Sequence, residues 1–422
     1  MTLKILHTSD WHLGQHFYGK SRAQEHQSFL NWLLAQVKLH QVNAVIVAGD
    51  VFDTGTPPSY AREMYYDFIV NMHLLNCQLI VLAGNHDSAS MLAESRGMAS
   101  HLSCDVVSSV KQDLSDQLVS ICCEKGELLG VVCAVPFIRP RDIQQSQFGQ
   151  SASDKQYSLR EQIATHYSQI YGCAVEHTKN KKVPIIATGH LTAIGAKMTE
   201  SVRDIYIGTL DAVPASDFPP ADYIALGHIH RPQVVAKSDH IRYCGSPIPL
   251  SFDESTTQKQ VNLVTFEKGK IAAISPLLIP CFQPLVTIKT SLAELVNDVE
   301  HQLVEQSANI SDGQLLWLDI EVSSADYLND LGQKIEQLIE SYPVEVLRIR
   351  KAKADKPNHK VFEEKLTLDE LSATEVFESR LDFAEVDCVE QAERLRVLYR
   401  QTLEQLNTPS ELEDLSAIGA VT

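Results

Sequence analysis

Over the first 275 or so residues the hydrophobic and polar positions alternate between two rhythms. Short apolar runs, LKIL (3–6), NAVIVA (43–48), QLIVLA (78–83), LGVVCAV (129–135), PIIAT (184–188) and YIAL (223–226), read as buried strands. Between them the period lengthens to about 3.6. Residues 22–39 put Phe29, Leu30, Leu33 and Val37 on one helical face. A second helix is expected from about Ser59 to Leu75, after the Pro57-Pro58 breaker, and a third over roughly 89–102. The Gln/Ser-rich segment 144–157 reads as a loop. Ser158-Leu159-Arg160-Glu161 then reads as a capping box opening a helix with Leu159, Ile163, Tyr167, Ile170 and Ala174 inward. Strands separated by helices imply an α/β domain.

From about 281 the pattern tightens to PLVTIKT, SLAELVNDVEHQLVEQ, LLWLDIEV, DYLNDLGQKIEQLIES and VEVLRIR, a β-α-β-α-β unit that forms a separate small domain. The run 348–360 carries six Lys/Arg against one acid and a proline, and reads as a basic linker. Two short helices follow. The first opens on the capping box Ser372-Ala373-Thr374-Glu375 and lines up Val376, Phe377 and Leu381; the second lines up Cys388, Ala392, Leu395, Tyr399, Thr402 and Leu406. Neither has a core of its own to cover, so the pair folds back on the body or docks on another protein's helices.

Composition narrows the picture only a little. The net charge of −18 argues against coating nucleic acid through a broad basic surface, yet leaves room for a nuclease with a small contact patch. Nine cysteines without CxxC spacing exclude a disulfide framework or zinc knuckle and fit buried thiols in a reducing cytoplasm. No stretch reads as a membrane span or secretory signal. Sixteen histidines are the first compositional sign of metal chemistry.

Where the strands run out, that sign becomes specific. LKIL is followed by HTSDWH, offering Asp10 and His12; NAVIVA by Asp50 of GDVFD; QLIVLA by Asn85 and His86 of GNHD; PIIAT by His190; YIAL by GHIH, offering His228 and His230. Residues at i and i+2 of an extended chain point the same way, and the ends of α/β strands are where ligand sites form. Glycines 49, 84, 189 and 227 let the backbone crowd together there. Two aspartates, one amide oxygen and up to four imidazoles are too many donors for one ion but divide between two. We assign Asp10, His12, Asp50 and His230 to one, and Asp50, Asn85, His190 and His228 to the other, with Asp50 bridging. Mixed imidazole, carboxylate and amide donors without thiolate favour two divalent cations of the manganese type. Such a pair, about 3.5–4 Å apart, activates water and clamps a phosphoryl group. His86 is expected to protonate the leaving oxygen, and Asp87 to orient a ligand or His86 from behind.

DxH, GDxxD, GNHD, GH and GHxH in this order resemble the signature of the calcineurin-like metallophosphoesterases. LHTSDWHLGQHFYGKSR, VAGDVFDTGTPPSYAR, VLAGNHDS and YCGSPIPLSF resemble the DNA-nuclease subunits of that superfamily, over essentially the whole chain. The resemblance implies a four-layer α/β/β/α sandwich over 1–280 and a small α+β DNA-capping domain over 281–347. A basic linker (348–365), a helix pair binding an SMC-like ATPase (366–408) and a tail (409–422) would follow. It further implies a cytoplasmic, manganese-dependent enzyme acting on DNA ends and hairpins in repair and recombination. That activity comprises 3′-to-5′ exonuclease action on duplex with the ATPase, and single-strand endonuclease action. A homodimer would form through the helices near 59–75 and 89–102, and the ATPase would dock on Val376, Phe377, Leu381, Leu395, Tyr399 and Leu406. One position departs from the pattern. Archaeal and eukaryotic relatives carry a histidine where this chain has Asp53, so Asp53 receives no catalytic role. The competing readings are another dinuclear phosphoesterase and a non-catalytic scaffold for the ATPase. A protein phosphatase would show GDxxDRG, which Gly49–Gly55 lacks. A cyclic-nucleotide enzyme would have little use for the capping domain or the helix pair.

Overall fold

A computed structural model describes residues 2–143, 152–179, 181–202, 212–310, 313–323, 330–352 and 393–399. The chain divides into two units, Met1–Lys353 and Ala354–Thr422. Among the described residues the first unit contains two six-stranded sheets. One runs in the order Lys270–Leu278, Gln260–Glu267, Thr2–Thr8, Ala44–Ala48, Gln78–Leu82, Cys104–Val107, its last four strands parallel. The other runs Gln233–Val235, Ser238–Tyr243, Tyr223–Gly227, Ile185–His190, Leu128–Cys133, Leu118–Cys122, with the middle four parallel.

The unbroken apolar runs are explained by burial on both faces. In Ala44–Ala48, Val45 and Val47 meet Phe29 and Leu33 of helix Ala23–His40 and Phe68 of helix Ser59–Leu74. Ala44, Ile46 and Ala48 face the second sheet, against Ile186, Tyr223 and Ala225. That sheet's outer face packs on Ile163, Tyr167 and Ile170 of helix Ala152–Thr178. Helix, sheet, sheet, helix is the four-layer order, and the parallel strands of both sheets end on the same side.

Two readings of the sequence need correction. The helix expected to open at Ser158 begins at Ala152, inside the segment read as a loop; residues 144–151 lie outside the described set. A Ser-x-x-Glu pattern is tolerated inside a helix whose preceding residues are adequate helix formers. The basic run from 348 does not begin as a linker, because Val344–Lys351 is a strand. It pairs in parallel with Leu316–Val322, which pairs in parallel with Leu285–Thr290, and helices Leu295–Glu305 and Leu331–Ile339 cover one face of that sheet. Arg348 and Arg350 escape a linker fate by pairing with the buried Asp319 on the neighbouring strand. The edge strands Cys104–Val107 and Leu118–Cys122, the interior strand Ser238–Tyr243 and the hairpin Gln260–Glu267/Lys270–Leu278 carry no clear signal in the sequence; the last strand is largely exposed and mixed in polarity.

The described cysteines are all free thiols; Cys77, Cys104, Cys133 and Cys244 are buried, whereas Cys122 and Cys281 are exposed, contrary to a uniformly buried set. No helix among the described residues is long and apolar enough to cross a membrane. In the second unit the described stretch is helical and contains Leu395 and Tyr399; Val376, Phe377, Leu381 and Leu406 lie outside the described residues.

Candidate metal centre

The strand ends deliver their polar residues through a strained backbone. Asp10, His12, Asp50 and His228 all have positive φ, at 54°, 49°, 50° and 95°. Non-glycine residues avoid that region, and several together mark a site the fold holds at a cost of order 1–3 kcal/mol each. Close approach is enforced by glycine at two points. A Cβ on Gly84 would stand 2.1 Å from Asp50 Oδ1, and one on Gly49, itself at φ 93°, would stand 2.2 Å from His190 Nδ1.

Three of the imidazoles are oriented by a partner behind them. His190 donates Nδ1–H to Ala48 O at 2.9 Å and turns Nε2 toward Asp50 Oδ2 (3.2 Å) and Asn85 Oδ1 (2.9 Å). His12 gives Nδ1–H to Asp53 Oδ1 at 3.1 Å, leaving Nε2 3.6 Å from Asp50 Oδ2. His230 directs Nδ1 at Ser201 Oγ (2.6 Å) and Glu254 Oε1 (3.3 Å). Asp10 is pinned by Ser9 Oγ at 2.5 Å and by the backbone N–H of His228 at 2.9 Å. A metal-ligating histidine usually gives its second N–H to a carboxylate or carbonyl, which fixes its tautomer.

Donor atoms within 4.8 Å of one another fall into three overlapping sets: Asp10, His12 and His230; Asp10, Asp50 and His190; His12, Asp50 and His86. The site is buried, Asp10 being 0% and Asp50 1% exposed, while Asn85 and His86 on the outer rim are half-buried. His12 Nε2 and His228 Nε2 are buried with no hydrogen-bond partner. A buried ring nitrogen costs free energy unless something accepts its lone pair, so these residues fit a cation. Burial pulls the His190 pKa down, but the charge and hydrogen bond of Asp50, with the Asp10 charge and the Ala48 carbonyl, together raise it to about 9. Metal at this position would displace that proton.

Asp10, His12, Asp50, His86, His190 and His230 come together in these sets and Asn85 bonds to His190, whereas His228 joins none of them and lies beside His190, ring centroids 5.4 Å apart; two refinements follow. Asp10 belongs to two donor sets, so proximity alone does not single out Asp50 as the bridge; Asp50 is distinguished because one oxygen, Oδ2, faces both His12 and His190. Asp87 works on the backbone rather than on a ligand ring. Its carboxylate accepts the N–H groups of Val51, Phe52 and Gly84 at 2.8–3.1 Å, stitching the GDVFD turn to the GNHD turn. His86 gives Nδ1–H to Asp53 O at 2.8 Å and packs edge-on against His12, ring centroids 4.7 Å apart. Asp53, Ser201 and Glu254 escape sequence reasoning. Asp53 receives no role there because it lacks an imidazole, although the same GDxxD spacing that exposes Asp50 brings it under His12. Ser201 and Glu254 carry no local signal.

The calcineurin-like phosphoesterase model matches residues 3–232, and a type 5 capsule protein repressor C-terminal domain model matches 281–385. The chain is 49% identical over 404 residues to SbcD of Escherichia coli K12, a component of the nuclease SbcCD, covering 96% of this chain and 98% of that one. It is 30% identical over 348 residues to the Bacillus subtilis protein of the same description, covering 81% and 84%. A third, from Rhodobacter capsulatus, is 33% identical over 287 residues, covering 65% and 69%.

Proposed function

Because the chain belongs to the calcineurin-like phosphoesterases, and within them to the SbcD nucleases, we propose that its seven converging donors hold two divalent manganese ions for DNA cleavage. It is a metal-dependent nuclease subunit. Asp10, His12, Asp50 and His230 take one ion and Asp50, Asn85, His190 and His228 the other. The observation that carries this reading is the pair of orphaned, buried ring nitrogens at His12 and His228, set among carboxylates.

Two cations held by these residues would supply activation of a water and charge neutralisation at the phosphate. The protein does the rest. Buried carboxylates with fixed hydrogen bonds hold the donors without reorganisation. His86, half-buried at the rim with Nδ1–H committed to Asp53 O, delivers a proton from Nε2 to the leaving oxygen. Asp53 keeps His12 in the tautomer that presents Nε2.

The substrates are DNA ends and hairpins: duplex is digested 3′-to-5′ with an SbcC-type ATPase, and single strands are cut internally. The ATPase docks on the 366–408 segment through Val376, Phe377, Leu381, Leu395, Tyr399 and Leu406, and the protein works in the cytoplasm, on the nucleoid. The 281–347 domain caps DNA. A homodimer forms through helices Ser59–Leu74 and Ala89–Ser100, whose Val70, Leu74 and Met98 are exposed. The deciding experiment incubates the purified chain, with and without its ATPase, on hairpin-ended duplex in manganese, magnesium or chelator, with Asp50→Ala as control. A phosphopeptide and a cyclic nucleotide run alongside. Cleavage of either in preference to DNA would favour the other phosphoesterase reading; no manganese-dependent hydrolysis at all would favour the scaffold. Phe377→Asp is expected to abolish co-purification with the ATPase while sparing single-strand cleavage.

A further inference from the structure

Behind His230 lies a buried charge network that the cleavage chemistry does not itself require. Glu254, on the short 3-10 turn Phe252–Glu254 that ends the GSPIPLSF segment, is 0% exposed. Its Oε1 accepts from Thr199 Oγ1 at 2.8 Å, from Ser251 Oγ at 3.3 Å and from the Ser201 hydroxyl in a short bond. Its Oε2 accepts from Lys259 Nζ at 2.6 Å, Leu250 N at 3.1 Å and Ser246 Oγ at 3.2 Å. Ser201 Oγ lies 2.6 Å from His230 Nδ1, so a relay runs from the ring N–H through Ser201 to Glu254, beside the direct 3.3 Å contact. Lys259, 5% exposed, spends its three ammonium protons on Glu254, on Ser246 Oγ at 2.8 Å and on the carbonyl of His230 at 3.1 Å. His230 is therefore held twice, its ring by Glu254 and its backbone by Lys259.

A buried ion pair is a weak source of net stability, because desolvating both charges cancels most of their attraction. This one touches a candidate ligand at both ends. We propose that Glu254 and Lys259 are positioning residues for His230, holding its Nδ1–H tautomer and ring angle so that Nε2 meets the ion shared with Asp10 and His12. The inference rests on the reading of His230 as a ligand. The two functions are divided: Glu254 selects the tautomer, and Lys259 neutralises Glu254 and tethers the GHIH backbone. Sequence spacing hides this, since the strands Gln233–Val235 and Ser238–Tyr243 separate Glu254 from His230 and Lys259 leads into the strand Gln260–Glu267 of the opposite sheet.

The test is manganese titration of the full chain by calorimetry, with electron paramagnetic resonance to separate a coupled ion pair from a lone ion, and thermal unfolding of each variant. Glu254→Gln keeps the shape but not the charge, and leaves Lys259 uncompensated; the double variant Glu254→Gln/Lys259→Met removes both charges and is the one expected to fold normally. The proposal expects both to bind one manganese as the unmodified protein does and the other about 10–100-fold more weakly, with the coupled signal replaced by a single-ion signal. His230→Ala is the reference and should lose the same ion. If His230→Ala still binds two ions with unchanged affinity, the ligand reading fails and this inference with it. If His230→Ala loses an ion but the double variant keeps both at full affinity, the ligand reading stands and the positioning role is overturned.

Discussion

The protein contains two parallel arrangements of strands with contrasting ends. In the sandwich, five strands from two sheets finish in Asp10 and His12, Asp50, Asn85, His190 and His228, and the chain bends there through left-handed backbone. In the small domain the three strands Leu285–Thr290, Leu316–Val322 and Val344–Lys351 are also parallel, but their chemistry is on the sheet face rather than beyond the ends. Asp319, mid-strand and buried, takes the guanidiniums of Arg348 and Arg350 at 2.8–3.0 Å. At the near edge of that domain, Leu285 and Trp317 pack with Phe17 and Phe252 of the sandwich, and Arg22 stands 5.0 Å over Phe17 and 5.8 Å over Trp317. A parallel sheet supplies a platform. Whether a site forms depends on donors without internal partners: His12 and His228 keep an open nitrogen for a cation, whereas Asp319 is already satisfied by its own domain.

That contrast can be broken experimentally. The largest expected effect is from Asp50→Ala, which removes the donor between His12 and His190 and should abolish both ion binding and cleavage, read by manganese titration and a hairpin-DNA assay. Next, His86→Ala should keep both ions and lower cleavage about 10²–10⁴-fold, the usual contribution of a positioned proton donor; unchanged cleavage with metal bound would remove His86 from the mechanism. Leu318→Ala, in the small domain's core at 0% exposure, should cost about 2–5 kcal/mol of that domain's stability, read by thermal unfolding, without moving either manganese affinity. A loss of metal there would show that the two regions are not independent.

The smallest effect belongs to Asp319→Asn. Burial raises the Asp319 pKa and the two arginines lower it by more, so the folded state holds its carboxyl below the ordinary carboxylate range. A depressed folded-state pKa stabilises the protein above the unfolded value and loses that contribution as pH falls through the folded one. Asp319→Asn should therefore cost about 1 kcal/mol at neutral pH, the half-exposed arginines being screened by water, and should flatten the acid limb of the unfolding profile.

How much of this is legible in the amino-acid order differs between the ligands and their supports. The ligands follow strands whose apolar runs are unmistakable, and the period of two and the small residue before Asp10, Asp50, Asn85, His190 and His228 are local facts of the chain. The α/β rhythm, the helix Ala23–His40 with Phe29, Leu30, Leu33 and Val37 buried, and the β-α-β-α-β unit are equally local. Edge strands such as Lys270–Leu278 are not, because half-exposed backbone imposes no apolar pattern.

What the amino-acid order determined by itself, then, was the inventory of donors and the strand behind each, since both depend on neighbours a few residues away. The tertiary structure brings together the ends of two stacked sheets, which their apolar inner faces press into contact. It alone decided that Asp53 stands under His12, that Asp87 ties two turns together, and that Glu254 and Lys259 close around His230. Those contacts join residues whose separation along the chain carries no periodic signal, and they exist only because buried polar groups must find partners wherever packing brings them.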